Sequence, residues 1–300
     1  MEALAAKLAP DITLRPFNDK QPLIAQIADI DALILGHQRV TSGVFTAARK
    51  LRMIQQHGRG VDGVDLACAA RAGVIVANVP GGNSVAVAEH SLALMLFLGK
   101  RFYRFSGAVS AGLTGTPAGI ELAGKTLAIV GLGAAGNELA RISHALRMRV
   151  IAIKASPRLE DAQVVDFLGG PGALLSVLAQ ADFVVLLASL TAETRHMIGR
   201  EQLAGMKRSA YLINTGRAAL VDRDALLAAL TQGAISGAAF DVFWSEPAPP
   251  LDPLLALDNF FLSPHVAGFS DASISYVTDV VAENIRRLAS GEPLLNVVGA

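Results

Sequence analysis

The string TLAIVGLGAAG at residues 126–136 constrains this chain most. Five residues with no strongly polar break suit a strand buried on both faces of a parallel sheet. They run straight into G-x-G-x-x-G (Gly131, Gly133, Gly136), and a helical pattern continues to about Arg147. Strand, glycine turn and helix in that order form the start of a βαβ unit. The helix N-terminus of such a unit can receive a pyrophosphate, because the glycines let backbone N–H groups approach it closely.

The pattern continues on both sides. Apolar runs at 150–153, 183–187, 210–213, 235–240 and 260–262 read as further strands, with helical segments between most of them. Before residue 90, shorter runs at 32–35, 53–55 and 74–77 are each followed by a turn signal, GHQ, HGRG and NVPGG. Strands alternating with helices imply an α/β fold with parallel, doubly wound sheets. Residues 85–99 form a helical pattern that is apolar nearly all round, which suits an interior or an interface. The Gly-, Ser- and Thr-rich stretch 107–119 is the most linker-like segment, and 271–289 reads as one long amphipathic helix.

Composition narrows the function classes. The 300 residues carry a formal net charge of +0, with no block of like charge, so nothing in the charge balance calls for nucleic acid or an anionic membrane. The chain is 52% hydrophobic, yet its longest apolar run, 92–98, is far too short to span a bilayer. The N-terminus lacks the sustained apolar core of a signal peptide. Cys68 is the sole cysteine, so no intrachain disulfide can form, which fits a reducing cytoplasm. The histidines show no HExxH or HxH spacing, and no metal site is expected.

The end of the second strand after the glycine turn bears on cofactor choice. A site that prefers NAD usually has an acidic residue there to accept from the ribose diol. This chain has Lys154, with Ser156 and Arg158 just beyond. A cation can pair with a 2′-phosphate, which favours NADP over NAD. The alternative is that Lys154 and Arg158 are solvated surface charges and the cofactor is NAD.

Three further strings carry chemistry: INTGRAALVD with Arg217, DVFWSEP with Glu246 and SPHVAG with His265. A guanidinium can grip a carboxylate bidentately and polarise the neighbouring ketone. An imidazole can exchange a proton with the carbonyl oxygen, and a carboxylate beside it favours its charged form. Singly, each residue reads as a surface or packing residue. In this order they form the set a carbonyl-reducing site needs.

Together with residues 60–96 (GVDGVDLACAARAGVIVANVPGGNSVAVAEHSLALML) and LTAETRHMI, these strings resemble the D-isomer-specific 2-hydroxyacid dehydrogenases over nearly the whole chain. The resemblance implies a Rossmann cofactor domain, 95–270, inserted into a flavodoxin-like substrate domain, 1–94 plus 271–300. It implies that Arg217 binds the substrate carboxylate and carbonyl oxygen, that His265 is the acid and base, and that Glu246 pairs with His265. Backbone around Arg59 and Gly60 would hold the carboxylate, and Asn78 and Ser84 would face the cleft. Ala134 and Ala135 would offer N–H groups to the pyrophosphate. Asn214, Thr215 and Gly216 would line the nicotinamide pocket, and Asp241 would contact its carboxamide. There are departures: Ser189 stands in Leu-Ala-Ser where His-x-Pro is frequent, and could bond a cofactor phosphate or ribose instead, while Ala134-Ala135 replaces a frequent Arg-Ile. The reaction implied is reduction of a small 2-oxo acid, of the glyoxylate or hydroxypyruvate type, to the D-2-hydroxy acid. D-lactate-type and D-3-phosphoglycerate dehydrogenases are alternatives within the class, and a dinucleotide-sensing corepressor is the alternative outside it. A homodimer is expected, from the apolar 85–99 helix and the Phe-Tyr-Arg-Phe segment at 102–105.

Overall fold

The computed structural model describes residues 2–36 and 38–299. His37, in the turn expected at 36–38, lies outside them. Along the chain the elements run α1 (Glu2–Ala5), β1 (Ala32–Leu35), α2 (Ser42–Ala47), β2 (Met53–Gln56), α3 (Leu66–Arg71), β3 (Ile75–Ala77), α4 (Ser84–Gly99) and α5 (Phe105–Ser110). They continue with β4 (Thr126–Val130), α6 (Ala134–Ala145), β5 (Arg149–Ile153), β6 (Phe167–Gly169), α7 (Leu174–Gln180), β7 (Phe183–Leu186) and α8 (Arg200–Ala204). The last are β8 (Tyr211–Asn214), α9 (Arg223–Thr231), β9 (Gly237–Phe240), β10 (Phe260–Leu262) and α10 (Asp271–Ser290). Two compact units result: Met1–Asn83 together with Phe269–Ala300, and Ser84–Gly268.

The smaller unit is a parallel sheet in the order β1-β2-β3. Side chains alternate across it, as the period of two requires. Leu35, Ile54 and Val76 pack against Val44 of α2 and Ala69 of α3. Met53 packs on the other side with Leu4 and with Val281, Ile285 and Leu288 of α10. The chain after α10 returns along β3: Val297 forms an antiparallel bridge with Ala77, and the Val298 N–H donates to the Val76 carbonyl at 2.8 Å. A buried amide supports that return. The Asn284 Nδ2 donates to Gln55 Oε1 (2.7 Å) and to the Leu295 carbonyl (3.1 Å), and Asn284 Oδ1 accepts from the Leu295 N–H (2.7 Å).

The larger unit holds a seven-stranded, all-parallel sheet in the order β10-β9-β8-β7-β4-β5-β6. Counting from β4, this is the doubly wound order 3-2-1-4-5-6 extended by a seventh strand, with its switch point between β4 and β7. Both faces are covered, which explains the unbroken apolar strands. Ala128, Val130, Val184, Leu186 and Leu212 pack toward the layer of α7, α8 and α9. Leu127, Ile129, Val185, Tyr211 and Ile213 pack toward α4 and α6.

Helix α4 bears on two expectations. The first junction falls at Ser84, the start of this 16-residue helix, rather than near Leu94. The helix is continuous, and it packs on α6 and across β8 and β9, so breaking it mid-way would split one packed layer. Its all-round apolar pattern therefore has an explanation inside its own unit: Ala88, Ser91, Met95 and Leu98 are buried there. The second junction, at Phe269, lies two residues before the start of α10.

Candidate active site

The register of the larger sheet brings the three chemical strings together. Strands β8, β9 and β10 are adjacent and parallel, and their ends are level: Asn214 pairs with Phe240, and Phe240 with Leu262. Arg217, Glu246 and His265 all follow these ends, on the edge where parallel α/β sheets place ligands. The glycine turn leaves β4 on the same edge.

His265 and Glu246 meet. The imidazole Nδ1 lies 2.7 Å from Glu246 Oε2, and the two side chains are 31% and 28% exposed. A carboxylate only accepts, so Nδ1 carries the proton of this bond, and Nε2 is the nitrogen that can exchange a proton with a substrate. The other carboxylate oxygen of Glu246 accepts from the Phe243 N–H at 2.9 Å. Trp244, tilted against Phe240 and edge-on to Phe243, ties the same loop down by donating its indole N–H to the Val221 carbonyl at 3.0 Å.

The backbone of His265 is left-handed, φ 57°. Histidine tolerates this region better than most residues, but the conformation still needs support. Asp241 supplies it. This carboxylate is 1% exposed and accepts from the Val266 N–H (2.9 Å), the Ala267 N–H (2.7 Å) and the Ser263 hydroxyl. His90 of α4 completes the cluster, with Nε2 3.0 Å from Ser263 Oγ and 3.6 Å from Asp241 Oδ1. Asp241 is thus buried under the turn that carries His265. Its three bonds all go to that turn.

Arg217 is half-buried and follows a turn locked by Asn214. Asn214 Oδ1 accepts from the Gly216 N–H (3.1 Å), and its Nδ2 donates to the Arg217 carbonyl (2.9 Å). The guanidinium donates to the Gly216 carbonyl at 2.9 Å. Thr215 is anchored to α4 through Ser91, Oγ to Oγ1 2.8 Å. Asn214 and Thr215 are buried, and their bonds fix this turn.

The glycine turn fits a dinucleotide pyrophosphate. Gly131 has φ +109°, and a Cβ there would lie 2.6 Å from the Ala188 Cα. At Gly136 a Cβ would sit 2.7 Å from the Gly131 carbonyl oxygen. Only glycine allows this closeness between β4, α6 and the end of β7. Gly133 is the N-cap of the 12-residue α6, which starts at Ala134 and Ala135. The first N–H groups of such a helix have no intrahelical acceptor and attract an anion. Ser189, just past β7, is exposed, and its carbonyl accepts from the Thr194 hydroxyl.

Beyond β5 the structure differs from the expectation of open cations. Lys154 Nζ donates to Asp161 Oδ1 at 2.5 Å, and the Arg158 N–H donates to Asp161 Oδ2 at 2.9 Å. Asp161 is 7% exposed. The ammonium beside it holds its carboxyl below the usual carboxylate range. Ser156 is exposed, and the Arg158 guanidinium makes a solvent-facing contact with Glu160 at 3.3 Å.

Of the residues expected to touch substrate, three lie in the smaller unit. The Asn78 amide donates to the Arg59 carbonyl at 2.8 Å and the Val79 N–H to the Gly58 carbonyl at 3.1 Å, which joins the loops around Gly60 and Asn78. Ser84 opens α4 and belongs to the larger unit. Among the described residues no three His, Cys, Asp or Glu side chains form a group that could hold a metal, and no helix is long and apolar enough to cross a membrane.

Comparison with known proteins agrees with this geometry. The family model for the NAD binding domain of D-isomer specific 2-hydroxyacid dehydrogenases matches residues 92–267. The chain belongs to this family. A glyoxylate reductase of Korarchaeum cryptofilum is 38% identical over 286 residues, covering 93% of this chain and 86% of the relative. A D-3-phosphoglycerate dehydrogenase of Methanocaldococcus jannaschii is 36% identical over 93% of this chain, which spans only 53% of that longer protein. The crystal structure of an Aquifex aeolicus D-lactate dehydrogenase with NAD and lactic acid superposes with a TM-score of 0.85 at 26% identity, covering 97% of this chain and 91% of that one. As a member of the D-2-hydroxyacid dehydrogenases, the protein is an oxidoreductase that uses a nicotinamide dinucleotide and a small 2-oxo or 2-hydroxy acid.

Sequence reasoning missed His90, Ser263 and Asp161 in this dehydrogenase. A histidine and a serine in the middle of the apolar stretch VAVAEHSLALML are the one signal that pointed at the first. Nothing local marks Asp161, seven residues beyond Lys154.

Proposed function

We propose that the protein reduces a short 2-oxo acid, glyoxylate or hydroxypyruvate, to the D-2-hydroxy acid. The observation that carries this reading is the Glu246–His265 pair at the same sheet edge as Arg217 and the glycine turn. Arg217 holds the substrate carboxylate and polarises the 2-oxo carbonyl. His265, aligned by Glu246 through Nδ1, gives a proton from Nε2 to the carbonyl oxygen, and takes it back in the oxidation direction. When bound, the dinucleotide supplies the hydride to the carbonyl carbon. In the smaller unit, the joined loops bearing Arg59, Gly60 and Asn78 are assigned to substrate recognition. The Korarchaeum cryptofilum relative, at 38% the most identical of those described above, carries the glyoxylate reductase name, which supports the short substrate.

The finer cofactor assignment is NADP in preference to NAD, because Lys154 takes the place of an acidic residue at the end of β5, with its ammonium bonded to Asp161 in the structure. A homodimer is also proposed. Phe102, Phe105, Val109 and Leu113 are 48%, 43%, 75% and 54% exposed within a short stretch, and a second copy is the natural cover for such a strip. The cytoplasm is the proposed compartment, on the single free cysteine Cys68.

Initial rates with glyoxylate, hydroxypyruvate and pyruvate, each with NADPH and NADH, test the reading. It expects turnover with one of the first two and a D product wherever the product is chiral. Turnover with pyruvate alone would move the protein to the D-lactate class. No turnover, with the dinucleotide still bound, would leave a dinucleotide-sensing role in its place.

A further inference from the structure

We infer that Asp161 is the residue that sets the choice between NADPH and NADH in this chain, by competing with a 2′-phosphate for Lys154. The inference rests on the dinucleotide reading of the glycine turn and deepens its cofactor assignment. The Gly131 N–H donates to the Ile153 carbonyl at 2.9 Å, so the turn and the end of β5 are in direct contact. Lys154 follows Ile153 immediately. It stands where a dinucleotide bound on that turn presents its adenosine ribose.

Lys154 alone would be a simple phosphate-binding cation. Here its ammonium is already bonded to a carboxylate at 2.5 Å, and both partners are sheltered, with side-chain exposures of 28% and 8%. Asp161 is held from its other oxygen by the Arg158 N–H, and it begins the 3₁₀ turn Asp161–Val164. The loop is therefore closed on itself around this carboxylate. A 2′-phosphate that reaches Lys154 meets the Asp161 charge on the same ammonium, and like charges there oppose each other. NADH brings no phosphate and pays no such penalty. Ser156 and Arg158 are exposed on the same loop and flank this contact.

The test is equilibrium binding, read from the fluorescence of NADH and NADPH on the full chain, for wild type, Asp161→Asn and Lys154→Gln. Asparagine keeps the shape and can still accept from the Arg158 N–H, so the loop is retained. Asp161→Asn is expected to tighten NADPH at least fivefold relative to NADH. Lys154→Gln is expected to weaken NADPH at least fivefold relative to NADH. Thermal melting of each variant reports whether the loop change has spread to the fold, and the NADH affinity reports whether the glycine turn is intact. If Asp161→Asn binds NADH as wild type does and the NADPH to NADH ratio stays within twofold, the inference is overturned and the pair is a loop clasp only. If Asp161→Asn does not fold, an unchanged ratio in Lys154→Gln overturns it equally. If wild type binds neither dinucleotide, it is the dinucleotide reading itself that fails.

Discussion

Replacing Asp241 by asparagine separates two roles for a buried carboxylate. Asp241 is 1% exposed, and its oxygens accept from the Ser263 hydroxyl and from the N–H groups of Val266 and Ala267, next to His265. Asparagine keeps one acceptor oxygen. If that oxygen stays on Ser263 and Val266, the amide NH₂ faces the Ala267 N–H, donor against donor at 2.7 Å in the parent geometry. One charge-assisted bond is lost, and a buried N–H is left unsatisfied. A hydrogen bond to a charged group contributes about 1.5–3 kcal/mol, and an orphaned buried donor costs about 1–3 kcal/mol, two descriptions of largely the same loss. A destabilisation of about 2–3 kcal/mol is therefore expected in urea unfolding. The turn also holds His265 at φ 57°, so its relaxation misplaces Nε2. If about 2 kcal/mol of that loss is felt in the transition state, kcat falls about 30-fold. The assay pairs urea unfolding with kcat and with the cofactor Kd. Stability unchanged within about 0.5 kcal/mol, together with a weakened cofactor Kd, would refute this reasoning and favour a carboxamide contact instead.

Three other perturbations follow from the structure. Asn284→Ala strips Gln55 Oε1 and the Leu295 N–H of their buried partner, and a loss of about 2–4 kcal/mol in urea unfolding is expected, with the 295–298 strand released first in hydrogen exchange. Glu283, bonded to Arg286 and Arg287, is held down at about 2 against an ordinary value of 4.5. A lowered folded-state value stabilises above the unfolded one, so this contribution is fully present above about 4.5 and is lost as pH falls toward 2. The variant Glu283→Gln should flatten the Tm profile in that window and leave it parallel to wild type above it. Gly131→Ala combines a φ of +109° with a collision against the Ala188 backbone, and is expected to abolish binding of NADH and NADPH alike in fluorescence titration.

Most of the fold was legible because its signals are local. Unbroken apolar runs marked β4, β7, β8 and β10 to within about one residue of the observed strands, since a strand buried on both faces has no polar side to confuse the pattern. Strand β6 was not read: Phe-Leu-Gly runs straight into Gly170-Pro171-Gly172, so the segment reads as a turn. The junction at Ser84 was misplaced because α4 reads as one apolar helix, and periodicity does not say which sheet a helix will cover. Within the site, Arg217, Glu246 and His265 were legible as motifs at strand ends. Their supports were not, because each is a contact between distant segments. The carboxylate of Asp241 reaches residues 263, 266 and 267, His90 reaches Ser263, and Asn284 reaches Gln55. Lys154 was read as an open cation for the same reason, since its partner depends on how the loop to Asp161 folds back.

The central claim is that His265, aligned by Glu246, is the acid and base of a 2-oxo acid reduction. Its most direct test is the initial rate of glyoxylate reduction by wild type and by His265→Gln, both at saturating dinucleotide, with the cofactor Kd measured on the same samples. The account expects kcat to fall about 10²- to 10⁴-fold in the variant, the usual contribution of a positioned acid, with the cofactor Kd unchanged. A variant that keeps wild-type kcat would contradict it.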